Sequence, residues 1–392
     1  MTRLLRDPGL RDILLGIALT AAGAALVLCS DEAMEAARTG LQLCGNVIVP
    51  SLFPFFVLSS LVVELGFAQY LGRALEPLMR PLFRVSGACA SAVALGFVGG
   101  YPVGARTAIQ LYQQGMCSRT EAQRLLAFCN NSGPAFILGV VGAGVFSSSR
   151  AGLLLYLVHA LASVAVGLIF RFYPGEKGDR GGACARPVRI ETARFSVAFT
   201  RAVRGALQST LNICAFVLLF TVVIRLLFHT GVLAALAQIL STALGVERKW
   251  IESLLTGIIE ISSGVTSLTG TGALAGRLSM AAFILGWAGV SVHCQVLSFL
   301  ADSGLSPRTY VLGKLLHGVL SAGGMWLLAR AFLPELEVSA ALTEQVETLA
   351  QVDFQQALIL SLVCAWLMWS AFVAAAAVMV RKNSGKGRRR VV

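Results

Sequence analysis

The most informative stretch of this chain reads Gly99-Gly100-Tyr101-Pro102-Val103-Gly104-Ala105-Arg106, and it stands in the middle of an apolar segment that runs from Ser86 to Ser118. The segment is too long for one membrane span of about 20 residues and too short for two. Three glycines and a proline would break a helix near its centre. Inside a bilayer, unwound backbone is tolerated only where protein or a water-filled cavity satisfies it. We therefore expect residues 86–118 to form a re-entrant hairpin that enters the membrane and returns.

Basic residues flank this segment on both sides. Arg73, Arg80 and Arg84 precede it, and Arg119 and Arg124 follow it. Arginine and lysine are enriched in the cytoplasmic connections of membrane proteins. Both ends of the segment are therefore predicted on the cytoplasmic side, as a re-entrant hairpin requires.

The composition is typical of polytopic membrane proteins. Hydrophobic residues make up 56% of the chain and charged residues 13%, and the mean hydropathy is +0.76. The formal net charge is +12, but the basic residues stand in short segments between apolar runs. They indicate membrane topology, and no nucleic-acid partner is expected. The nine cysteines include no Cys-x-x-Cys pair, so neither a disulfide framework nor a zinc site is indicated.

The second half of the chain repeats the organisation of the first. Residues 251–276 form another apolar run, which Glu260-Ile261-Ser262-Ser263-Gly264 interrupts in the middle. When the halves are laid over each other, Gly96 falls on Gly257, and at nearly the same offset Ser132 falls on Ser291. Broken segments in corresponding places of two halves indicate a transporter site.

We predict an all-α polytopic membrane protein, built as an inverted repeat with two re-entrant helical hairpins, 86–118 and 251–276, and about eight full spans. We divide the chain into five parts. They are an N-terminal transmembrane helix with an amphipathic segment (1–45), a first repeat (46–172), a cytoplasmic basic linker (173–206), a second repeat (207–333), and an acidic outer loop with a last transmembrane helix and a basic tail (334–392).

Four motifs can be compared with known families. They read Pro50-Ser51-Leu52-Phe53-Pro54-Phe55, Gly100-Tyr101-Pro102-Val103-Gly104-Ala105-Arg106, Asn130-Asn131-Ser132-Gly133-Pro134 and Ser291-Val292-His293-Cys294-Gln295. As a set they resemble the sporulation integral membrane protein family of the YlbJ type, which is placed with the nucleoside-recognition Gate domain proteins and is similar to concentrative nucleoside transporters. The resemblance implies an endospore-forming bacterium, a location in the mother-cell membrane around the forespore, and export of dipicolinate toward the developing spore.

We expect the broken segments to meet near the bilayer midplane and to form one polar chamber. The candidate substrate-binding residues are Gly99, Gly100, Tyr101, Pro102, Gly104, Arg106, Asn130, Asn131, Ser132, Gly133, Ser262, Ser263, Gly264, Ser291, His293 and Gln295. A planar dicarboxylate needs hydrogen-bond donors, which unwound hairpin tips and helix N-termini supply. Arg106 is either a bidentate clamp for a carboxylate or an interfacial arginine that reaches the headgroups.

Glu260 is the sharpest single candidate, because a carboxylate inside an apolar run is costly and by default functional. We assign it coupling to Na⁺ or H⁺, since direct contact with an anionic substrate is unfavourable. The alternative is a structural carboxylate that caps the neighbouring half-helix. His293 either relays that proton or packs, and His159 and His317 are expected to pack in apolar helices. No metal site and no cofactor besides the coupling ion is expected.

The predicted function is transport of a small carboxylated aromatic metabolite, with dipicolinate suggested by the family resemblance alone. Ser132-Gly133 and His293 lack a nucleophile elbow and an ordered acid partner, so no enzymatic activity is expected. The expected partners are the small-molecule substrate and the lipid bilayer, with a homodimer or another homo-oligomer left open. The alternatives are a Na⁺- or H⁺-coupled transporter of the nucleoside type and a non-transporting membrane scaffold in spore assembly.

Overall fold

The computed structural model describes residues 8–65, 67–174, 195–301 and 303–347, together with residues 366 and 370. Regular secondary structure in the described residues is entirely helical, as predicted. The chain opens with α1 (Pro8–Leu28) and α2 (Ser30–Leu43). A π-helical turn (Cys44–Ile48) leads into α3 (Val49–Glu64), and α4 (Phe67–Phe83) follows.

The predicted first hairpin and first broken segment come next. They comprise a 3₁₀ turn (Gly87–Cys89), α5 (Ala90–Gly99), α6 (Val103–Gln113), α7 (Arg119–Phe128), a π-helical segment (Ala135–Val145) and α8 (Ser149–Phe170). The start of α7 is set by a capping box in which Ser118 and Glu121 each bind the other's backbone N–H.

The second half contains the remaining seven helices of the described residues. They are α9 (Phe195–His229), α10 (Val232–Leu244), α11 (Arg248–Ile259), α12 (Ile261–Thr266), α13 (Leu274–Trp287), α14 (Gly289–Leu300) and α15 (Pro307–Glu347). We predicted that residues 334–356 form an outer loop, but α15 continues as far as Glu347. This part of the sequence is rich in Ala, Leu and Glu, which favour helix.

The first hairpin folds back on itself at Gly100, whose φ of 74° ends α5. A Cβ added to Gly96 of α5 would lie 3.2 Å from the Cα of Gly104 in α6, so the two helices are in backbone contact. With 10 and 11 residues, each helix is about 15 Å long, half of the hydrocarbon thickness of a bilayer. This is the hairpin shape that the glycine and proline pattern predicted.

One carboxylate brings the two ends of this hairpin together. The backbone N–H of Ser86 donates to Oε1 of Glu121 at 2.6 Å, and the backbone N–H of Ser118 donates to Oε2 at 2.8 Å. The chain therefore leaves the hairpin beside the point where it entered.

The second hairpin has a similar construction around Glu260. α11 ends there with extended backbone at Glu260, and the short α12 folds back along it. A Cβ on Gly264 would lie 2.7 Å from the backbone nitrogen of Gly257. In each half a pair of glycines thus lets the two arms of a hairpin touch.

Among the described residues, four helical stretches are long and apolar enough to cross a membrane: Ser149–Phe170, Phe195–His229, Leu274–Leu300 and Pro307–Ala331. Counting the two pairs bent by 91° and 93° as spans raises the number in this part of the chain to six, whereas we predicted about eight for the whole chain. α3 has 16 residues, about 24 Å, which is short of the hydrocarbon thickness. The predicted last span at 357–380 lies outside the described residues, except for 366 and 370.

The two halves share buried apolar contacts. Leu125 and Phe128 of α7 belong to the same buried cluster as Val296 of α14 and Tyr310 of α15. On the outside of α8, Leu153, Leu157 and Leu161 are exposed at helical spacing, which is typical of a face that meets lipid. The breaks in the two halves are held between these packed helices.

Candidate functional site

The first broken segment, residues 129–133, lies against the first hairpin. A Cβ on Gly96 or on Gly104 would overlap the carbonyl oxygen of Cys129, and a Cβ on Gly100 would lie 2.9 Å from the backbone nitrogen of Gly133. Glycine at these positions therefore allows unwound backbone to enter the groove between α5 and α6. The two motifs that the sequence singled out in the first half meet here.

Side chains satisfy the backbone groups that the break leaves open. The carbonyl of Phe128 accepts hydrogen bonds from Asn131 Nδ2 at 3.0 Å and Ser163 Oγ at 2.8 Å. The N–H of Ser132 donates to Nε2 of His159 at 3.0 Å. The carbonyl of Asn130 accepts from Nζ of Lys314 at 3.0 Å. Unwound backbone that is shielded from water requires such hydrogen-bond partners.

Lys314 of α15 is the central residue of this site and is only 1% exposed. Its Nζ donates to the carbonyl of Asn130 at 3.0 Å, to the Tyr101 hydroxyl at 3.0 Å and to Nδ1 of His317 at 3.3 Å. Three acceptors match the three N–H donors of an ammonium group. Within the described part of the chain, no carboxylate lies at ion-pair distance from it.

Two histidines complete the cluster, and their hydrogen bonds assign them as neutral. Nε2 of His159 accepts from Ser132, so the ring proton of His159 is on Nδ1. Nε2 of His317 lies 2.9 Å from the carbonyl oxygen of His159 and donates to it, which leaves Nδ1 to accept from Lys314. Both histidines were expected only to pack. We assign Lys314 as an ammonium, because each of its three N–H groups then has one acceptor. We name this group of residues the Lys314 cluster: Tyr101, Asn130, Ser132, His159, Lys314 and His317.

Several buried polar atoms in and around the cluster have no hydrogen bond of good geometry with a described residue. They are both carboxamide atoms of Asn130, Oδ1 of Asn131, Nδ1 of His159, Nε2 of His293 and Oγ of Ser321. His293 contacts the Tyr310 hydroxyl through Nδ1 at 3.0 Å. Buried polar atoms are nearly always paired, so a group of open ones beside a cation is typical of a binding site.

Glu260 lies at the second break and is only 1% exposed. Its two oxygens accept from the backbone N–H groups of Ser262 at 2.9 Å and Ser263 at 2.7 Å, so the carboxylate caps α12. A Cβ on Gly289, where α13 gives way to α14, would lie 3.2 Å from the Cα of Glu260. The capping geometry is the alternative we described for this residue, and its coupling role remains a prediction.

A cavity of about 770 Å³ opens beside the second hairpin. Ser262, Ser263 and Thr256 contribute hydroxyls to its wall, and Arg225 and Lys249 contribute positive charges. Its size is that of pockets for small molecules. The residues of the Lys314 cluster do not line this cavity, and the single polar chamber remains a prediction.

Arg106 points away from the Lys314 cluster. It donates to the Ser209 hydroxyl and, at 3.4 Å, to the carbonyl of Gly205, both in α9. With Pro102 and Glu64 it lines a small cavity of about 60 Å³. Its predicted role as a carboxylate clamp remains untested.

The other predicted residues divide between the two breaks. Gly100, Gly104 and Gly133 form the backbone contacts of the first break, whereas Gly99 lies against the side chain of Val103. Ser262, Ser263 and Gly264 lie in α12 of the second hairpin. Ser291, His293 and Gln295 are buried in α14. Sequence reasoning missed Lys314, although one lysine inside the apolar run from Tyr310 to Leu333 is itself a signal of function.

These features define a class of protein before any relative is considered: a helical integral membrane protein with folded-back hairpins and a buried polar cluster. Residues 47–172 match the family model Gate, described as nucleoside recognition. The chain is also 34% identical, over 314 residues, to the sporulation integral membrane protein YlbJ of Bacillus subtilis (strain 168), covering 75% of this chain and 77% of that protein. The chain belongs to the YlbJ family of sporulation integral membrane proteins, which confirms the resemblance seen in its four motifs.

One solved structure with a similar chain is entitled "Structure of CNTnw in an inward-facing substrate-bound state". The alignment covers 83% of this chain and 87% of that chain, with 13% identity and a TM-score of 0.41. Similarity at this level supports no argument about function, so the family assignment rests on the sequence relationship.

Proposed function

We propose that this protein is a membrane transporter of a small carboxylated aromatic metabolite, with dipicolinate as the leading substrate. The observation that carries the proposal is the buried ammonium of Lys314, which has neutral hydrogen-bond partners and no carboxylate partner among the described residues. The relative is named as a sporulation integral membrane protein, which supports a role in spore formation. Export of dipicolinate from the mother cell toward the forespore is the form of this role that the family resemblance implies.

The charge of Lys314 favours an anionic ligand over a neutral one. A buried charge without an opposite charge is strongly unfavourable, and a bound carboxylate would supply that charge. A bound carboxylate would displace one of the three neutral acceptors of Lys314, and the charge-assisted hydrogen bond that it forms is about twice as strong as a neutral one. The buried carboxamide of Asn130, which interacts with the Tyr310 hydroxyl, offers a further donor in this region. A dicarboxylate can use both groups.

A second candidate is a Na⁺- or H⁺-coupled transporter of a nucleoside. The Gate match is described as nucleoside recognition, and the hydroxyl-lined cavity at Ser262 and Ser263 suits a ligand with ribose hydroxyls. In both candidates we assign Glu260 the coupling role, since it is a carboxylate buried in an interrupted apolar run. Neither candidate includes a catalytic step or a cofactor other than the coupling ion.

Flux into proteoliposomes separates these candidates. We expect saturable uptake of labelled dipicolinate that unlabelled dipicolinate inhibits and pyridine, which lacks the carboxylates, does not. Uridine is the matched test of the second candidate. Saturable uridine flux without dipicolinate flux would favour the nucleoside transporter. If neither compound moves and the protein is folded, the non-transporting scaffold in spore assembly becomes the better reading.

A further inference from the structure

The three partners of Lys314 resemble the coordination of a metal cation. They are a carbonyl oxygen from unwound backbone, a hydroxyl oxygen and an imidazole nitrogen, and all three are neutral. In transporters, carbonyls of unwound segments are the groups that coordinate coupling cations. Here a side chain of the protein occupies that position.

We propose that the ammonium of Lys314 is a built-in cation at the junction of the first hairpin and the 129–133 break, and that it replaces a dissolved alkali cation there. The junction is then held together without bound sodium. What this inference implies for ion coupling depends on the proposed transport function. The presence of the cation site does not depend on that function.

The packing of α15 is suited to this role. A Cβ on Gly313 would lie 2.6 Å from the Cα of Ala127, so α15 crosses the end of α7 in backbone contact. Lys314 follows directly and reaches the carbonyl of Asn130 just beyond that end. The Tyr101 hydroxyl, which accepts from Lys314, donates in turn to the carbonyl of Leu285 at 2.6 Å. One ammonium therefore joins the hairpin tip, the break, α13 and α15.

The electrostatic surroundings exclude a second cation. The titratable groups that face Lys314 or interact with it are Tyr101, Cys129, His159, His293, Tyr310 and His317. No acid is found among these described neighbours. A sodium ion bound to the same carbonyl would meet the like charge of the ammonium at short range, where repulsion is strong. The site can thus hold one cation, and the lysine already provides it.

Thermal unfolding of the purified full chain in lipid nanodiscs tests this inference. Samples are compared in equal concentrations of sodium, potassium and choline chloride, and wild type serves as the reference for any sodium effect at Glu260, the carboxylate assigned to ion coupling. Lys314→Ala removes the ammonium and leaves its space, so sodium or methylammonium is expected to raise its unfolding temperature above the value in choline. Lys314→Met fills the space with an apolar stem and is expected to show no such rise.

Arg308→Ala is the matched control, because Arg308 is an exposed cation on the same helix and lines neither cavity. The inference is overturned if folded Lys314→Ala gains no more stability from sodium or methylammonium than wild type does. If Lys314→Ala does not fold, Glu260→Gln is decisive: it keeps Lys314 and lacks the carboxylate assigned to ion coupling, so it is expected to unfold at the same temperature in sodium and choline, and stabilisation by sodium would overturn the inference. Because the readout is cation binding, a failure of dipicolinate flux leaves the result unaffected.

Discussion

The Nζ of Lys314 lies 3.0 Å from the carbonyl oxygen of Asn130, although 184 positions separate the two residues. The carbonyl belongs to the break in the first half of the chain, and the lysine belongs to a helix of the second half. A carbonyl group that would be costly to leave without a hydrogen bond in a membrane thus accepts one from the other half of the chain. The prediction about ligand binding at Lys314 depends on this contact.

Replacing Lys314 by Met is expected to weaken dipicolinate binding by about 10- to 100-fold, because a hydrogen bond to a charged group contributes about 1.5–3 kcal/mol. The unfolding temperature should also fall, since Met keeps the volume of the stem but leaves the Asn130 carbonyl and the other acceptors of Lys314 without this donor. Calorimetric titration measures the first quantity and scanning calorimetry the second. Arg308→Met is the control, because Arg308 is exposed on the same helix and lines neither cavity. Equal affinity in wild type and Lys314→Met would contradict an anion site at Lys314.

Glu260→Gln is expected to abolish the stimulation of dipicolinate flux by an imposed proton or sodium gradient, while exchange without a gradient continues. The variant should also lose about 0.5–2 kcal/mol of stability, because Gln offers one acceptor oxygen to the two N–H groups at the start of α12. Proteoliposome flux with and without the gradient checks this expectation.

The control for Glu260→Gln is Glu247→Gln, since Glu247 is exposed at the start of α11 and does not line the cavity beside the second hairpin. If gradient stimulation survives in Glu260→Gln, the carboxylate acts as a helix cap alone.

Gly104→Ala is expected to destabilise the protein by at least about 1–3 kcal/mol, the cost of overpacking. Its methyl group would overlap the carbonyl oxygen of Cys129, and backbone on both sides leaves little room to shift. The unfolding temperature in nanodiscs measures the effect. Gly139→Ala is the control, because a Cβ there would have no other atom within 4 Å. A similar loss of stability in both variants would contradict the close approach of residues 129–133 to the first hairpin.

Single cysteines at Arg80 and Gln114, both exposed, are expected to react with an impermeant thiol reagent from the same side of the membrane. The reason is that Glu121 binds the backbone at Ser86 and Ser118, the two ends of the hairpin segment. The experiment uses a chain in which the native cysteines are replaced by alanine. Reaction from opposite sides would show that the segment crosses the membrane completely.

Much of the fold was open to prediction because it depends on local chemistry. Glycine and proline interrupt a helix wherever they occur, so the break at Gly100–Pro102 could be located from the sequence. Glu260 in an apolar run similarly marked the second break. The number of spans was harder to predict, because hydropathy alone does not reveal that α3 is only 16 residues long or that α15 extends to Glu347.

The candidate site was less predictable, since it depends on which distant groups meet. The polarity of Asn130 and Ser132 was visible, but their partners Lys314 and His159 stand on other helices. Arg106 could be a clamp or a headgroup contact by sequence, whereas the folded chain directs it to Ser209 of α9.

The order of residues alone established a helical membrane protein with two interrupted hairpins and membership of one family, because composition, apolar run length and helix-breaking residues act over a few turns of chain. The folded arrangement alone assigned Lys314 to the first break and Glu260 to the start of α12. Hydrogen bonds form within about 3 Å, and packing of whole helices determines which side chains come that close.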